Sequence, residues 1–145
     1  MGHMFSITTI LVESYMFQLM HVQKLVFQNH MRLKNQKLWQ NSKHKQYYSA
    51  LSDILRTYIA NAFSIGAMEM TTDEIIEALQ DERISQKSKM DLVSILRDAD
   101  LVKFAKATPE AEDNELAFDK AYYFVEETKP VEVEEKEPED TPPQE

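Results

Sequence analysis

The residues best suited to chemistry in this 145-residue chain are its carboxylates and its four histidines. Asp73, Glu74 and Glu77 form a cluster of the kind that could act as acid and base. Their place in the chain gives a plainer account. Thr71, Thr72, Asp73 and Glu74 read as a T-x-x-E capping box, and acids at a helix start are stabilised by the exposed backbone N–H groups. A zinc site wants histidines one helical turn apart with a glutamate beside them. His3, His21, His30 and His44 are too widely spaced for that and read as surface residues. With no cysteine, thiol nucleophiles, thiolate metal sites and disulfides are ruled out. No G-x-S-x-G segment occurs, and two glycines, Gly2 and Gly66, are too few for a phosphate-cradling loop. The sequence thus points away from an enzyme and names no catalytic residue, metal ligand or cofactor.

The elements that would carry these residues are helical. Between Lys43 and Phe63, the apolar residues Tyr47, Tyr48, Leu51, Ile54, Leu55, Tyr58, Ile59 and Phe63 recur in steps of three and four. Polar residues fill the intervals, Ser42 is placed as an N-cap, and Gly66 follows as an end signal. This is the expected central core helix. Ahead of it, residues 14–40 read as a helix with Tyr15, Leu19, Val22, Val26, Leu33 and Trp39 on its apolar side. Its stripe is less regular, and an interfacial membrane helix is the sharper reading. The apolar run before Glu13 is too short for a membrane span of about 20 residues.

After the capping box, with Met70 and Ile75 as its hydrophobic staple, a helix carries Ile75, Ile76 and Leu79 and ends near Asp81. Ser85 then caps a helix expected to stop near Ala99, where Asp98 and Asp100 sit at the end that disfavours acids. Leu101, Val102, Phe104 and Ala105 follow as a helical turn or a strand. Thr108 and Pro109 supply a cap and a first-turn proline for the last helix, with Asp113 or Asn114 as a second possible cap. That helix carries Leu116, Ala117, Phe118, Ala121, Tyr122, Phe124 and Val125. The fold class expected is all-α, a bundle of about five helices. Its parts are a segment of uncertain order over residues 1–13, a helical domain over 14–128, and a disordered acidic tail over 129–145 rich in proline and glutamate.

Charge is unevenly spread along the chain, whose net charge is −9. No acid falls between Glu13 and Asp53, while Lys24, Arg32, Lys34, Lys37, Lys43 and Lys45 make that stretch basic. Glu126 to Glu145, with nine acids against two lysines, holds most of the net negative charge. Such a front suits an anionic lipid surface or an acidic protein partner. A winged helix that binds nucleic acid is the alternative, built on the Thr71–Asp81 and Ser85–Ala99 helices with Leu101–Lys106 and Tyr122–Val125 as wing strands. Its recognition helix would set Lys87, Lys89 and Arg97 against Asp91, Asp98 and Asp100, which is electrically neutral and makes nucleic acid a poor partner.

Four segments carry a family resemblance: K-L-W at Lys37–Trp39, L-R-T-Y-I at Leu55–Ile59, A-M-E-M-T-T-D-E-I at Ala67–Ile75 and A-D-L-V-K-F-A-K at Ala99–Lys106. Together they resemble an uncharacterised bacterial family similar to the cytosolic portions of membrane proteins encoded in aerotolerance (Bat-type) operons. Those operons also encode a MoxR-type AAA+ ATPase and von Willebrand factor A domain proteins. The resemblance spans about Lys37 to Thr128 and transfers no catalytic residue. It implies a non-catalytic helical adaptor in a membrane-associated complex, in the cytoplasm at the inner face of the membrane. The candidate interaction surface is Lys34, Lys37, Lys43, Lys45, Lys103 and Lys106. Leu101, Val102 and Phe104 are expected to pack inward, Phe104 plugging a gap near Leu55 or Ile59. The rival expectation is an exposed Phe104 that binds a partner, as aromatic hot spots do.

Overall fold

The computed structural model describes residues 7–129, and the acidic tail expected beyond Lys129 lies outside them. Five α-helices make up the described chain: α1 (Ile7–Gln36), α2 (His44–Phe63), α3 (Thr72–Ala78), α4 (Gln86–Phe104) and α5 (Ala111–Thr128). Short 3₁₀ turns, Trp39–Asn41 and Ala67–Glu69, flank α2. The all-α architecture is as the helical spacing implies, and there is no strand among the described residues.

α2 lies at the centre because its apolar stripe is the widest. Tyr47, Tyr48, Leu51, Leu55, Tyr58 and Ile59 are all buried, while Ile54 and Phe63 are partly so. Each such burial stabilises by roughly 1.5–3 kcal/mol. α1, α4 and α5 pack around it, and α3 lies on α4. Tyrosine is an unusual choice for so much of a core, since each hydroxyl must find a partner. α5 provides them. The Tyr47 hydroxyl donates to the Asn114 carbonyl (2.8 Å), the Tyr48 hydroxyl to Asn114 Oδ1 (2.8 Å), and the Tyr58 hydroxyl bonds Thr128 Oγ1 (2.9 Å). The first contact falls at the start of both helices, and the last lies in the second half of α2 and at the end of α5. α2 and α5 therefore run parallel, while α4, whose Ser88 bonds Glu127 near the far end of α5, runs antiparallel to both.

Local signals decide the helix ends in some places and lose in others. Thr71 Oγ1 accepts the Glu74 N–H (3.2 Å) as the capping box requires, though the Glu74 carboxylate reaches the Thr71 hydroxyl instead of the backbone. Ser85 caps α4 by accepting the Ser88 N–H (3.1 Å). Ser42 is not the cap of α2. It sits in the left-handed region (φ 63°) with its N–H on the Trp39 carbonyl, closing the 3₁₀ turn, and Lys43 takes the cap position with no side-chain bond. Thr108 and Pro109 likewise precede the helix without starting it. α5 begins at Ala111 after Glu110, and Asp113 and Asn114 lie inside it. α1 starts at least as early as Ile7, so the boundary drawn between residues 13 and 14 falls within a continuous helix.

The α2–α3 connection is fastened by Arg56. Its guanidinium donates to Ser52 Oγ (3.1 Å), to the Ala67 carbonyl (2.9 Å) and to the Met70 carbonyl. Charge-assisted bonds to backbone carbonyls are worth more than neutral ones. Replacing Arg56 with Met should lower stability by about 1–3 kcal/mol in chemical denaturation. It should also speed proteolysis near Gly66; unchanged stability would show that the fastening is superficial.

Candidate functional site

The topology gathers all six candidate lysines at one end of the bundle. The end of α1, the start of α2, the end of α4 and the start of α5 meet there, joined by the Tyr47–Asn114 and Tyr48–Asn114 bonds. Lys34, Lys37, Lys43, Lys45 and Lys106 are exposed and Lys103 is half-buried. Lys34 Nζ lies 6.0 Å from the centroid of the Phe118 ring. Lys37 and Lys106 adopt positive φ (50° and 56°) at the two chain reversals on this end. The first turns of α5 also bring Glu110, Glu112, Asp113 and Glu115 here. The lysines are thus interleaved with acids, and the surface is mixed in charge, not uniformly basic.

The end of α4 differs most from expectation. The helix does not stop at Ala99 but runs to Phe104, because the two acids that argued for an earlier end are absorbed elsewhere. Asp100 accepts a hydrogen bond from the Thr72 hydroxyl (2.7 Å), pinning the start of α3 to α4. Asp98 is half-buried; burial pushes its carboxyl up from the usual carboxylate range, and Lys120 opposes that rise. Continuing the helix fixes where the next side chains point. Leu92, Ile95, Leu96, Ala99 and Val102 form the buried stripe. At 100° per residue Leu101 and Phe104 fall on the opposite side. Val102 packs as expected, whereas Leu101 is 54 % exposed and Phe104 81 % exposed. The inward-facing Phe104 near Leu55 or Ile59 is therefore corrected: its ring stands in water. The chain then turns sharply, with the Ala107 N–H returning to the Leu101 carbonyl (3.2 Å).

Two buried polar residues with an unpartnered nitrogen escaped the sequence reading. Asn114, taken as a possible cap, is fully buried and holds both tyrosines; its Nδ2 has no partner among the described residues. His30, taken as a surface residue, is 1 % exposed against Phe118 and Tyr122, with Nε2 unpartnered. Burial lowers its pKa from 6.5 to about 4. Burial likewise raises all three core tyrosines, Tyr58 to about 12 and Tyr47 and Tyr48 further. His30 lines a cleft of about 530 Å³ between α1 and α5, together with Met20, Phe27 and Tyr122 and with Lys24 and Lys129 at the rim. Asp73, Glu74 and Glu77 stay exposed on α3, and Asp73 pairs with Arg97 (3.0 Å). No three acids or histidines among the described residues are placed to hold a metal ion.

Comparison with protein-family models, with curated proteins and with solved structures finds no match.

His30 sets a pH dependence. The folded protein keeps it neutral down to about pH 4, whereas the unfolded imidazole takes up its proton near 6.5. Between these values the unfolded state binds more protons, so this contribution is complete above pH 6.5 and is lost as pH falls toward 4. The loss should be about 3 kcal/mol. Thermal unfolding of the wild type and of His30→Leu from pH 7.5 to 4.0 measures it. The wild type should lose more stability than the variant on acidification, and equal losses would contradict a buried neutral imidazole.

Proposed function

We propose that this protein is a non-catalytic helical interaction module, and that the exposed end of α4 is where it grips a protein partner. The observation that carries this reading is the Phe104 ring, held in water on the last turn of a well-packed helix beside Leu101. A rigid helix end presents the aromatic group at little further entropic cost, and aromatic anchors dominate binding energies at interfaces. Lys103 and Lys106 flank it and steer acidic partners. Resemblance to the Bat-type family supports a membrane-associated complex with a MoxR-type ATPase and von Willebrand factor A domain proteins. Its place would be the inner face of the cytoplasmic membrane. Exposed Lys34, Lys37, Lys43 and Lys45 suit that anionic surface. No helix among the described residues is long and apolar enough to cross a membrane.

The nucleic-acid alternative gains nothing from the fold. The segments assigned to wing strands are helical, Leu101–Phe104 as the end of α4 and Tyr122–Val125 inside α5.

Phe104→Ala separates an anchor from a core residue. A buried phenylalanine would cost about 3–5 kcal/mol on truncation. At an exposed position the change in stability should stay within about 0.5 kcal/mol. Affinity for the ATPase or the von Willebrand factor A domain protein, measured by titration calorimetry, should fall about tenfold or more. A Phe104→Ala protein that binds as tightly as the wild type would move the interaction elsewhere. A wild type that binds neither protein would sink the proposed complex.

A further inference from the structure

α1 is 30 residues long, about 45 Å at 1.5 Å per residue, whereas α5 spans 18 residues and about 27 Å. The two run antiparallel, with Phe27 against Tyr122 and His30 against Phe118. α1 therefore overshoots the far end of the bundle. Its buried positions are Leu19, Val26, His30 and Leu33, and no described residue before Leu19 is buried. The projecting part nonetheless carries Ile7, Ile10, Leu11, Val12, Tyr15 and Phe17 in water.

On the side of α1 away from the core stripe lies a second regular pattern. Ile10, Glu13, Phe17, Met20, Lys24, Phe27 and Met31 follow one another in alternating steps of three and four, the a and d positions of three heptads. Ile10, Phe17, Met20 and Phe27 are all about half exposed or more. Five of these seven positions are apolar, and the two charged ones are of opposite sign. Neither Glu13 nor Lys24 belongs to an ion pair among the described residues.

The order of these residues is self-complementary in one direction only. When two such helices lie antiparallel about a two-fold axis between Gln18 and Leu19, each a position meets a d position of the other copy. Ile10 then faces Phe27, Glu13 faces Lys24, and Phe17 faces Met20, each pair occurring twice. A parallel arrangement would set Glu13 against Glu13 and Lys24 against Lys24. The same antiparallel register lays the projecting end of one copy into the α1–α5 cleft of the other. Met20, Lys24 and Phe27 line that cleft, and Lys24 is its unpaired rim charge, since Lys129 is held by Glu126 (2.7 Å). Ile10 of the second copy would rest on Phe27 and Tyr122, and Ile7 would close the way to His30.

We infer that α1 is the interface of an antiparallel homodimer, with a second copy of this chain covering the Ile10–Met31 stripe and filling the α1–α5 cleft. The dimer leaves the Phe104 end of the bundle free, so it stands apart from the partner-binding proposal.

Sedimentation equilibrium of the full chain tests it. The wild type should form a species of twice 16.9 kDa. E13K and K24E each juxtapose like charges in two symmetric layers and should weaken dimerisation at least about tenfold. Both positions are exposed, so circular dichroism should show that each variant stays folded. The double variant E13K/K24E restores opposite charges only in the antiparallel register and should return the dimer to within about threefold of the wild type. A wild type that remains monomeric at about 200 μM would overturn the inference. So would single variants that dimerise normally, or a double variant that is not rescued. A monomer that sediments with anionic phosphatidylglycerol vesicles through this stripe would also overturn it, and would make the lipid surface its cover.

Discussion

The parallel pairing of α2 with α5 is the constraint on which the rest of the structure depends. Three tyrosines on α2 bury their rings and cannot leave their hydroxyls unbonded without a penalty of about 1–3 kcal/mol each. Asn114 and Thr128 on α5 answer them at two points separated by most of the helix length. Two points fix both direction and register. Once α5 is set, α4 must return antiparallel through the short connection between Phe104 and Ala111, and α1 is left to pack on the remaining side of α2. The gathering of lysines and acids at one end and the overshoot of α1 at the other both follow from that arrangement.

Local features of the fold were legible in the sequence where one signal had no competitor. The α2 stripe is long, uninterrupted and rich in large residues, so its burial could be read from spacing alone. Thr71 and Ser85 stand one turn before the apolar residues of their helices and cap the helices expected of them. Signals that compete were misread. Ser42 is a good cap by type, but Asn41 and Trp39 draw the chain into a 3₁₀ turn first. Thr108 and Pro109 are a standard opening pair, yet the helix waits for Ala111.

The candidate site was harder to read because its key facts are non-local. Asn114 looks like a cap until the tyrosines of α2, 66 and 67 residues away, are brought to it. Asp98 and Asp100 looked like the end of a helix, but Lys120 and Thr72 neutralise their effect from other helices. Misplacing that end by one turn reversed the direction of Phe104, since a turn of continued helix decides whether a side chain meets the core or water. Lys34, Lys37, Lys43, Lys45 and Lys106 stand at the surface, whereas Lys103 is half-buried. What the sequence did not show is that acids of α5 share their end of the bundle.

Hydrogen exchange on the full chain, followed by mass spectrometry at low protein concentration, tests the central pairing most directly. If α2 and α5 are held as one unit, amides of Leu51–Ile59 and Ala117–Val125 should share the slowest exchange class and open only with global unfolding. Amides of Ile7–Gln18, a stretch with no buried residue, should exchange far faster. Early exchange of α5 while α2 stays protected would contradict the account, because it would show that the tyrosine bonds do not hold the two helices together.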